Sequence, residues 1–512
     1  MNSLDDALSG LAKSAAVILF GSVIGRLLSL LGQILIVRSL TPTSFGHVAL
    51  AYTIVSTVCG LALLGIHEGV TRLMSAEQTT GYRQSVLRSG YALVLVSSLG
   101  VAACIYITRF QLSTYLNDDQ LPALLVLFLP YVFAYALGRV SFGALRAHRR
   151  SFAATVARDF GPRIGALLTF GLFAYAGEVL LGAVAYWVVT PVIMAVITGV
   201  YLHRELSMVR IIGSLPEPET LRELWSFSWP LAISASFFLM LSNVDVLMIG
   251  YFMQPQSVGL YRAIQPLRQV TMFVTIAFTF LFLPIATEYY NNGNLNALNR
   301  FYRVTTKWIV AATFPPVLVF TLFAPDVVRV FFGSDYTPAA PALAVLTAGL
   351  FIRAIVGLNG DMTKAINRPQ IELYTVIVAV CINILLNIAL IPRYGIVGAA
   401  VGTVVGYAVY NLLEVVAIYR SVGSHPFSTN SVKPLVPTLL FALGIAWMAR
   451  SMELSILLLL GIGVAITGVH LASMVFTRSL GQADLLLFEQ FEDQTGLDLE
   501  RVKTFLREYY QY

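Results

Sequence analysis

Residues 21–74 read GSVIGRLLSLLGQILIVRSLTPTSFGHVALAYTIVSTVCGLALLGIHEGVTRLM. An apolar run carries one arginine, Arg26, in its middle; a tight turn follows at Thr41-Pro42-Thr43-Ser44-Phe45-Gly46, and a second apolar run returns. A related unit stands at 243–288, with one aspartate (Asp245) in the first run, the turn Gln254-Pro255-Gln256-Ser257-Val258-Gly259, and another apolar run. Pro-x-Ser-x-Gly therefore opens a hairpin twice, as expected of two copies of one unit, each heading half of a membrane protein.

Composition agrees: of 512 residues 57% are hydrophobic and 12% charged, the balance of a polytopic membrane chain. A bilayer-crossing helix needs about 20 apolar residues, and about fourteen such runs are present. They fall near 14–37, 46–66, 86–107, 122–142, 155–176, 179–201, 228–250, 258–285, 305–324, 341–360, 370–391, 395–419, 434–450 and 453–476. The runs are continuous, whereas an outer-membrane barrel would alternate apolar and polar positions. The expected fold is an all-α polytopic bundle. Cys59, Cys104 and Cys381 lie apart inside apolar runs and read as small core residues. The dispersed histidines lack metal-ligand spacing, and no phosphate-binding Gly-x-x-x-x-Gly-Lys-Ser/Thr loop is present.

The net charge of +6 sits in alternate loops, which points away from a nucleic-acid partner. With the N-terminus inside, the outer connections hold only Arg38, Arg109, Arg329, Arg393 and Arg450. Inner ones hold groups such as Arg72, Arg83 and Arg88, or Arg146, Arg149 and Arg150. Both termini are then cytoplasmic, in a cell membrane. The repeat extends further: Leu181-Gly182-Ala183-Val184 matches Val397-Gly398-Ala399-Ala400, and Arg204 and Arg420 close the corresponding runs. This divides the chain into a six-helix lobe (1–205), a cytoplasmic linker (206–226), a second six-helix lobe (227–421), two extra helices (422–476) and a cytoplasmic tail (477–512). The tail carries an amphipathic pattern at Leu499, Val502, Phe505, Leu506 and Tyr509. Six helices return a chain to its starting side, so the lobes are expected to be related by a pseudo-twofold along the membrane normal.

An ionisable group near mid-bilayer costs about 2.5–3.5 kcal/mol on insertion scales, so it normally faces a cavity or a partner. Arg26 is the clearest instance. Its planar, permanent charge suits a phosphate or diphosphate, with Glu68 or Asp245 as alternative structural partners. Arg268 and Arg262 enter the eighth run from its outer end beside Gln265 and Gln269; Arg262 is near enough to the interface to snorkel. Asp245 is expected to pair with one of these arginines or to bind a coupling proton or cation. Glu68 and Arg72, one turn apart, predict a local salt bridge, as do Asp159 and Arg163. Arg353 and Asp361, Asn383 and Asn387, and Asn411 and Glu414 are second-half polar positions that suit a transport path or a charge pair.

Gly25-Arg26-Leu27-Leu28, Gln33-Ile34-Leu35-Ile36-Val37-Arg38, Pro42-x-x-Phe45-Gly46, Asp245-Val246-Leu247-Met248-Ile249-Gly250-Tyr251-Phe252 and Val258-Gly259-Leu260-Tyr261 together resemble Wzx-type polysaccharide-biosynthesis flippases. These belong to the multidrug/oligosaccharidyl-lipid/polysaccharide exporter superfamily, and the resemblance covers about 15–420. It implies a V-shaped pair of six-helix lobes around a cationic cavity, with Arg26 and Arg268 at the headgroup of a polyprenyl- or dolichyl-linked glycan. Movement by alternating access, no resident cofactor, coupling to a proton or sodium gradient, contact with membrane lipids and work beside other glycan-assembly proteins are the corresponding expectations. The peptidoglycan-precursor branch carries more than one arginine in its first span, where this chain has Arg26 alone, which leaves room for a monophosphate carrier. Two other readings remain at this stage: a cation-coupled exporter of small organic molecules, and a membrane glycosyltransferase. Excess intramembrane arginine weighs against the first, and the lack of a long outer loop with clustered acidic and basic residues weighs against the second.

Overall fold

A bilayer offers no partner for backbone N–H and C=O groups, so membrane segments must satisfy them internally. The computed structural model describes residues 2–76, 79–147, 151–206, 215–270, 273–481, 484–485, 492, 500 and 503–504; helices dominate, and among these residues there is no strand. In chain order the helices are α1 (Asn2–Ser39), α2 (Pro42–Ala62), α3 (Ile66–Ala76), α4 (Thr80–Tyr115), α5 (Leu121–Leu127), α6 (Leu129–Ala147), α7 (Ser151–Thr155), α8 (Gly161–Tyr175), α9 (Val179–Leu206) and α10 (Pro218–Phe252). They continue as α11 (Pro255–Val270), α12 (Phe273–Asn291), α13 (Leu295–Leu322), α14 (Ala324–Phe332), α15 (Ala340–Val356), α16 (Asn359–Ala365), α17 (Gln370–Val422), α18 (Thr429–Val432), α19 (Leu435–Ala449) and α20 (Ile456–Phe476). Among the described residues nine stretches are long and apolar enough to cross a membrane.

The chain forms two compact units, residues 14–263 and residues 264–512 together with 1–13. In the first, the expected tight turns prove to be helix starts. Thr41 Oγ1 accepts from Ser44 N–H at 3.2 Å and so caps α2, with Pro42 in the first helical position, where its missing N–H leaves no bond unmade. Pro255 opens α11 in the same way. The two starts pack reciprocally: a Cβ on Gly46 would overlap the Pro255 carbonyl oxygen, and a Cβ on Gly259 would overlap that of Pro42. Reciprocity of this kind, where one patch meets its own counterpart, is what a twofold relation produces. The glycine of the repeated motif is therefore a packing requirement. The second apolar run breaks at Leu64 and Gly65, both with positive φ, leaving α3 as a separate short helix.

Residues 207–214 of the expected linker lie outside the described residues. The segment that follows is held to α4: Arg88 Nη1 donates to the Leu215 carbonyl at 3.0 Å, Ser85 Oγ to Thr220 Oγ1 at 3.0 Å and Tyr82 to Glu223 at 3.0 Å. α10 then packs on α2, α3 and α4.

In the second unit α17 merges two of the expected spans. Gly395 (φ 58°) reverses the chain inside it, and the arms pack antiparallel so closely that a Cβ on Gly406 would come within 3.1 Å of the Asn383 Cβ. Only glycine holds such a reversal without strain. α13 packs on α15, and α19 and α20 both lie against α13. Lys307 in α13 donates to Asp484 Oδ2 (2.6 Å) and to the Ser479 carbonyl (3.0 Å), while Trp308 Nε1 reaches Asp484 Oδ1 (2.8 Å). The start of the tail is thus anchored by a buried ion pair. Leu499, Val502, Phe505, Leu506 and Tyr509 lie outside the described residues. Only Cys59 is a core cysteine; Cys104 and Cys381 are exposed, contrary to expectation, because their helix faces are turned outward.

Gly46→Ala and Gly259→Ala are each expected to destabilise the chain by about 1–3 kcal/mol through overpacking. Gly171→Ala, with nothing within 4 Å of the added methyl, is expected to be neutral or mildly stabilising. Thermal unfolding of the three variants in one detergent checks this; equal Tm values for all three would contradict it.

Candidate functional site

Pro162 has no N–H to return to Arg158, its partner one α-helical turn back. The chain answers with a π turn at Val156–Phe160, in which the Gly161 N–H bonds to the Val156 carbonyl, five residues earlier. Such bulges rotate side chains out of the helical register and recur at functional sites. Here the turn presses against α1. Gly25 approaches so closely that a Cβ would sit 2.7 Å from the Asp159 Cβ, and a Cβ on Gly21 would overlap Thr155.

This contact assembles charge. Arg158 Nη2 donates to Ser22 Oγ at 2.6 Å and pairs with Asp159 at 2.9 Å. The charges of Arg158, Asp159 and Arg163 all act on Arg26, whose side chain is exposed. Behind them, buried Tyr186 of α9 lies beside Arg163 and Ser29, and its hydroxyl stands 2.5 Å from where a Gly32 Cβ would be. Three guanidiniums share one carboxylate. The surplus positive charge, on planar forks with several N–H donors each, matches the oxygens of a phosphate or diphosphate.

Arg262 lies over the Tyr52 ring, 5.7 Å from its centroid, and Tyr52 in turn stacks on Trp187 at 4.7 Å. Asp245 is buried and accepts from the Tyr261 hydroxyl (2.7 Å) and the Val246 N–H (2.8 Å). Glu68 pairs with Arg146 at 3.3 Å and approaches His67 at 3.5 Å. Arg72 instead lies over the Phe227 ring at 4.2 Å. The expected Glu68–Arg72 bridge is therefore replaced by a contact between α3 and α6, because the break at Leu64 and Gly65 turns α3 toward that helix. Likewise the expected Asp159–Arg163 bridge gives way to Asp159–Arg158, because the π turn abolishes the i,i+4 register.

Arg268 belongs to the second unit and is half-buried; the Gln269 side chain is outside the described ones. Arg353 and Asp361 do come into electrostatic reach of each other. Lys364 stands 3.9 Å from Asp361 and 3.3 Å from Glu372. Glu414 is wholly buried beside Tyr410, within the field of Glu372, Lys364 and Arg353. Asn359 donates to Asn411 at 3.0 Å, and Asn387 to Asn383 at 3.2 Å. Against α13 and α20 lies an apolar cleft of about 620 Å³ lined by Val319, Phe320, Leu459, Leu460 and Val464 among others. Among the described residues no group of three or more His, Cys, Asp or Glu is placed to hold a metal ion.

Sequence reasoning did not select Arg158, Arg163 or Arg139 as site residues. Arg139 Nη2 lies 2.9 Å from His67 Nε2, inside the apolar run of α6. Its signal was the same as that of Arg26, a cation within a membrane-length run.

Residues 11–290 match the family described as Polysaccharide biosynthesis protein, and residues 230–389 match the MatE family. A relative named probable low-salt glycan biosynthesis flippase Agl15, from Haloferax volcanii, is 23% identical over 407 residues, covering 79% of this chain and 82% of that protein. A lipid II flippase MurJ structure in an inward closed conformation superposes with a TM-score of 0.72 at 13% identity, covering 90% of this chain and 99% of that one. An inward-facing multidrug resistance MATE transporter superposes at 0.66 with 16% identity, covering 78% and 95%. These structures establish a shared fold, an all-α polytopic membrane protein.

In a double-mutant cycle, Glu68→Ala with Arg146→Ala is expected to show a coupling of about 0.2–1 kcal/mol, the range for a half-exposed pair. Glu68→Ala with Arg72→Ala is expected to show none. Unfolding midpoints that couple Glu68 to Arg72 instead would restore the local bridge.

Proposed function

The chain belongs to the polysaccharide biosynthesis protein family, and from that premise we propose that it is a flippase. It moves a polyprenyl- or dolichyl-linked glycan, carried on phosphate or diphosphate, from the cytoplasmic to the outer leaflet by alternating access, for assembly of surface polysaccharide or glycoprotein. It is a transporter and not an enzyme. The observation that carries this reading is the cationic cluster of Arg26, Arg158 and Arg163 built on α1, the π turn and the start of α8. In the orientation set by the basic loops, both termini are cytoplasmic and the cluster lies in the cytoplasmic half of the first lobe (1–205), where the anionic headgroup enters. Within the same unit Arg262, over the Tyr52 ring, is a further cation for the anionic cargo.

An isoprenoid tail needs an apolar surface of its own, and the cleft between α13 and α20 fits that chemistry. The name of the Haloferax volcanii relative, a glycan biosynthesis flippase, supports the same substrate class. Other glycan-assembly proteins are then the natural neighbours in the membrane. An exporter of organic cations would require a surplus of carboxylates facing its cargo, whereas the first unit gathers three guanidiniums around one.

Cells lacking the protein are expected to accumulate lipid-linked glycan in the cytoplasmic leaflet, and Arg26→Ala or Arg163→Ala chains that fold normally are expected not to correct this. A normal leaflet distribution in the deletion would remove the flippase reading. For energy, the buried carboxylate Glu414 among titratable neighbours supports coupling to a proton or sodium gradient. Collapsing one gradient at a time in proteoliposomes is expected to slow glycan translocation at least about tenfold for the coupled ion, equivalent to about 1.4 kcal/mol. Unchanged rates under both collapses would mean transport is driven otherwise.

A further inference from the structure

At the far end of the first unit from the cationic cluster, a second, differently built cavity of about 630 Å³ opens where α2 and α11 begin, a volume in the about 300–1,000 Å³ range of small-ligand sites. Asn117, Asp119, Gln120, Gln254 and Gln256 line it, with Phe252 as an aromatic face. Among the described residues no lysine or arginine lines it, so its chemistry differs from that of the phosphate-matching cluster.

The walls are fixed rather than loose. His47 Nδ1 lies 2.7 Å from Asp118 Oδ1, which also accepts from the N–H groups of Gln120 and Leu121 at 3.0 and 3.1 Å. Asn117 holds a left-handed backbone (φ 48°). Asp118 is 1% exposed, and its other oxygen, Oδ2, has no hydrogen-bond partner. Next to the cavity, the reciprocal contact of Gly46 and Gly259 sets the spacing of the two helix starts.

We propose that this cavity is a saccharide subsite that takes neutral sugar residues of the transported glycan at the outer face; the assignment rests on the flippase reading and on its orientation. Each side-chain amide donates and accepts at once, as vicinal hydroxyls do. The Phe252 ring offers an apolar surface for the C–H face of a pyranose, and Asp119 and His47 accept or donate at its edges. The connections 38–45, 108–121 and 251–257 that surround the cavity all lie on the outer side in the orientation given by the basic loops. The headgroup cluster and the saccharide subsite are thus separate in both position and chemistry: guanidiniums for phosphate, amides and a ring for sugar.

The test uses the full chain in lipid nanodiscs and, as probe, the glycan released by mild acid from the lipid-linked pool of cells that make this protein, so that neither lipid nor phosphate contributes. Saturation-transfer NMR is expected to show binding to wild type and to Arg26→Ala. Gln254→Ala/Gln256→Ala, at two exposed positions, is expected to keep the wild-type Tm and to bind about tenfold more weakly after loss of two hydrogen-bonding groups, as is Asp119→Ala. Absence of binding to wild type, or equal binding by the double variant with an unchanged Tm, would overturn the subsite. The flippase reading fails separately, through the leaflet distribution in the deletion strain, and glycan binding with no leaflet effect would keep the subsite while removing the transport role.

Discussion

Two backbone carbonyls, those of Pro42 and Pro255, each press into the space where the other copy's glycine has no side chain. At that distance a methyl group cannot be placed without moving the backbone, so the starts of α2 and α11 either meet at Gly46 and Gly259 or do not meet at all. Much of the first unit follows from this. α10, which leads into α11, is brought against α2, α3 and α4, and the polar cavity is defined by the loops flanking the paired starts. Proline and glycine act together here: proline opens the helix without an unmet donor, and glycine one turn later lets the other helix come close.

The cationic cluster has the same character. Arg26 on its own is a cation in an apolar run; it becomes part of a site only because Gly21 and Gly25 admit the π turn and its charges to within contact of α1. A single missing N–H, that of Pro162, produces the register shift that brings Arg158 to Ser22 and Asp159 to Gly25. Asp159 has a plain electrostatic function there. It neutralises one of three neighbouring guanidiniums and so lowers their mutual repulsion while leaving a net positive charge.

Fold class was legible because the bilayer allows so few solutions. Long continuous apolar runs must be helices, and the recurrence of Pro-x-Ser-x-Gly marked the duplicated unit before any contact was known. Gly182 and Gly398, picked out as equivalent from sequence, each begin the return of a tight helical hairpin after a glycine with positive φ, Gly177 and Gly395. The site was legible only in part. Arg26 stood out by depth, but its companions Arg158 and Arg163 lay at the edge of a run and looked like an ordinary helical charge pattern with Asp159. The same reasoning paired Glu68 with Arg72, since spacing along a helix is visible in sequence while a break at Leu64 and Gly65 that turns α3 toward α6 is not.

By itself, then, the sequence determined that this chain crosses a membrane many times, that it is built as a repeat, and that an arginine lies deep in its first helix, because hydrophobicity, recurrence and charge are properties of residues in order. The tertiary structure alone decided which carboxylate meets which cation, which arginines join Arg26, and that loops distant in sequence enclose an amide-lined cavity. Those depend on register shifts, helix breaks and approaches permitted by glycine between segments far apart in the chain, and local spacing carries no information about them.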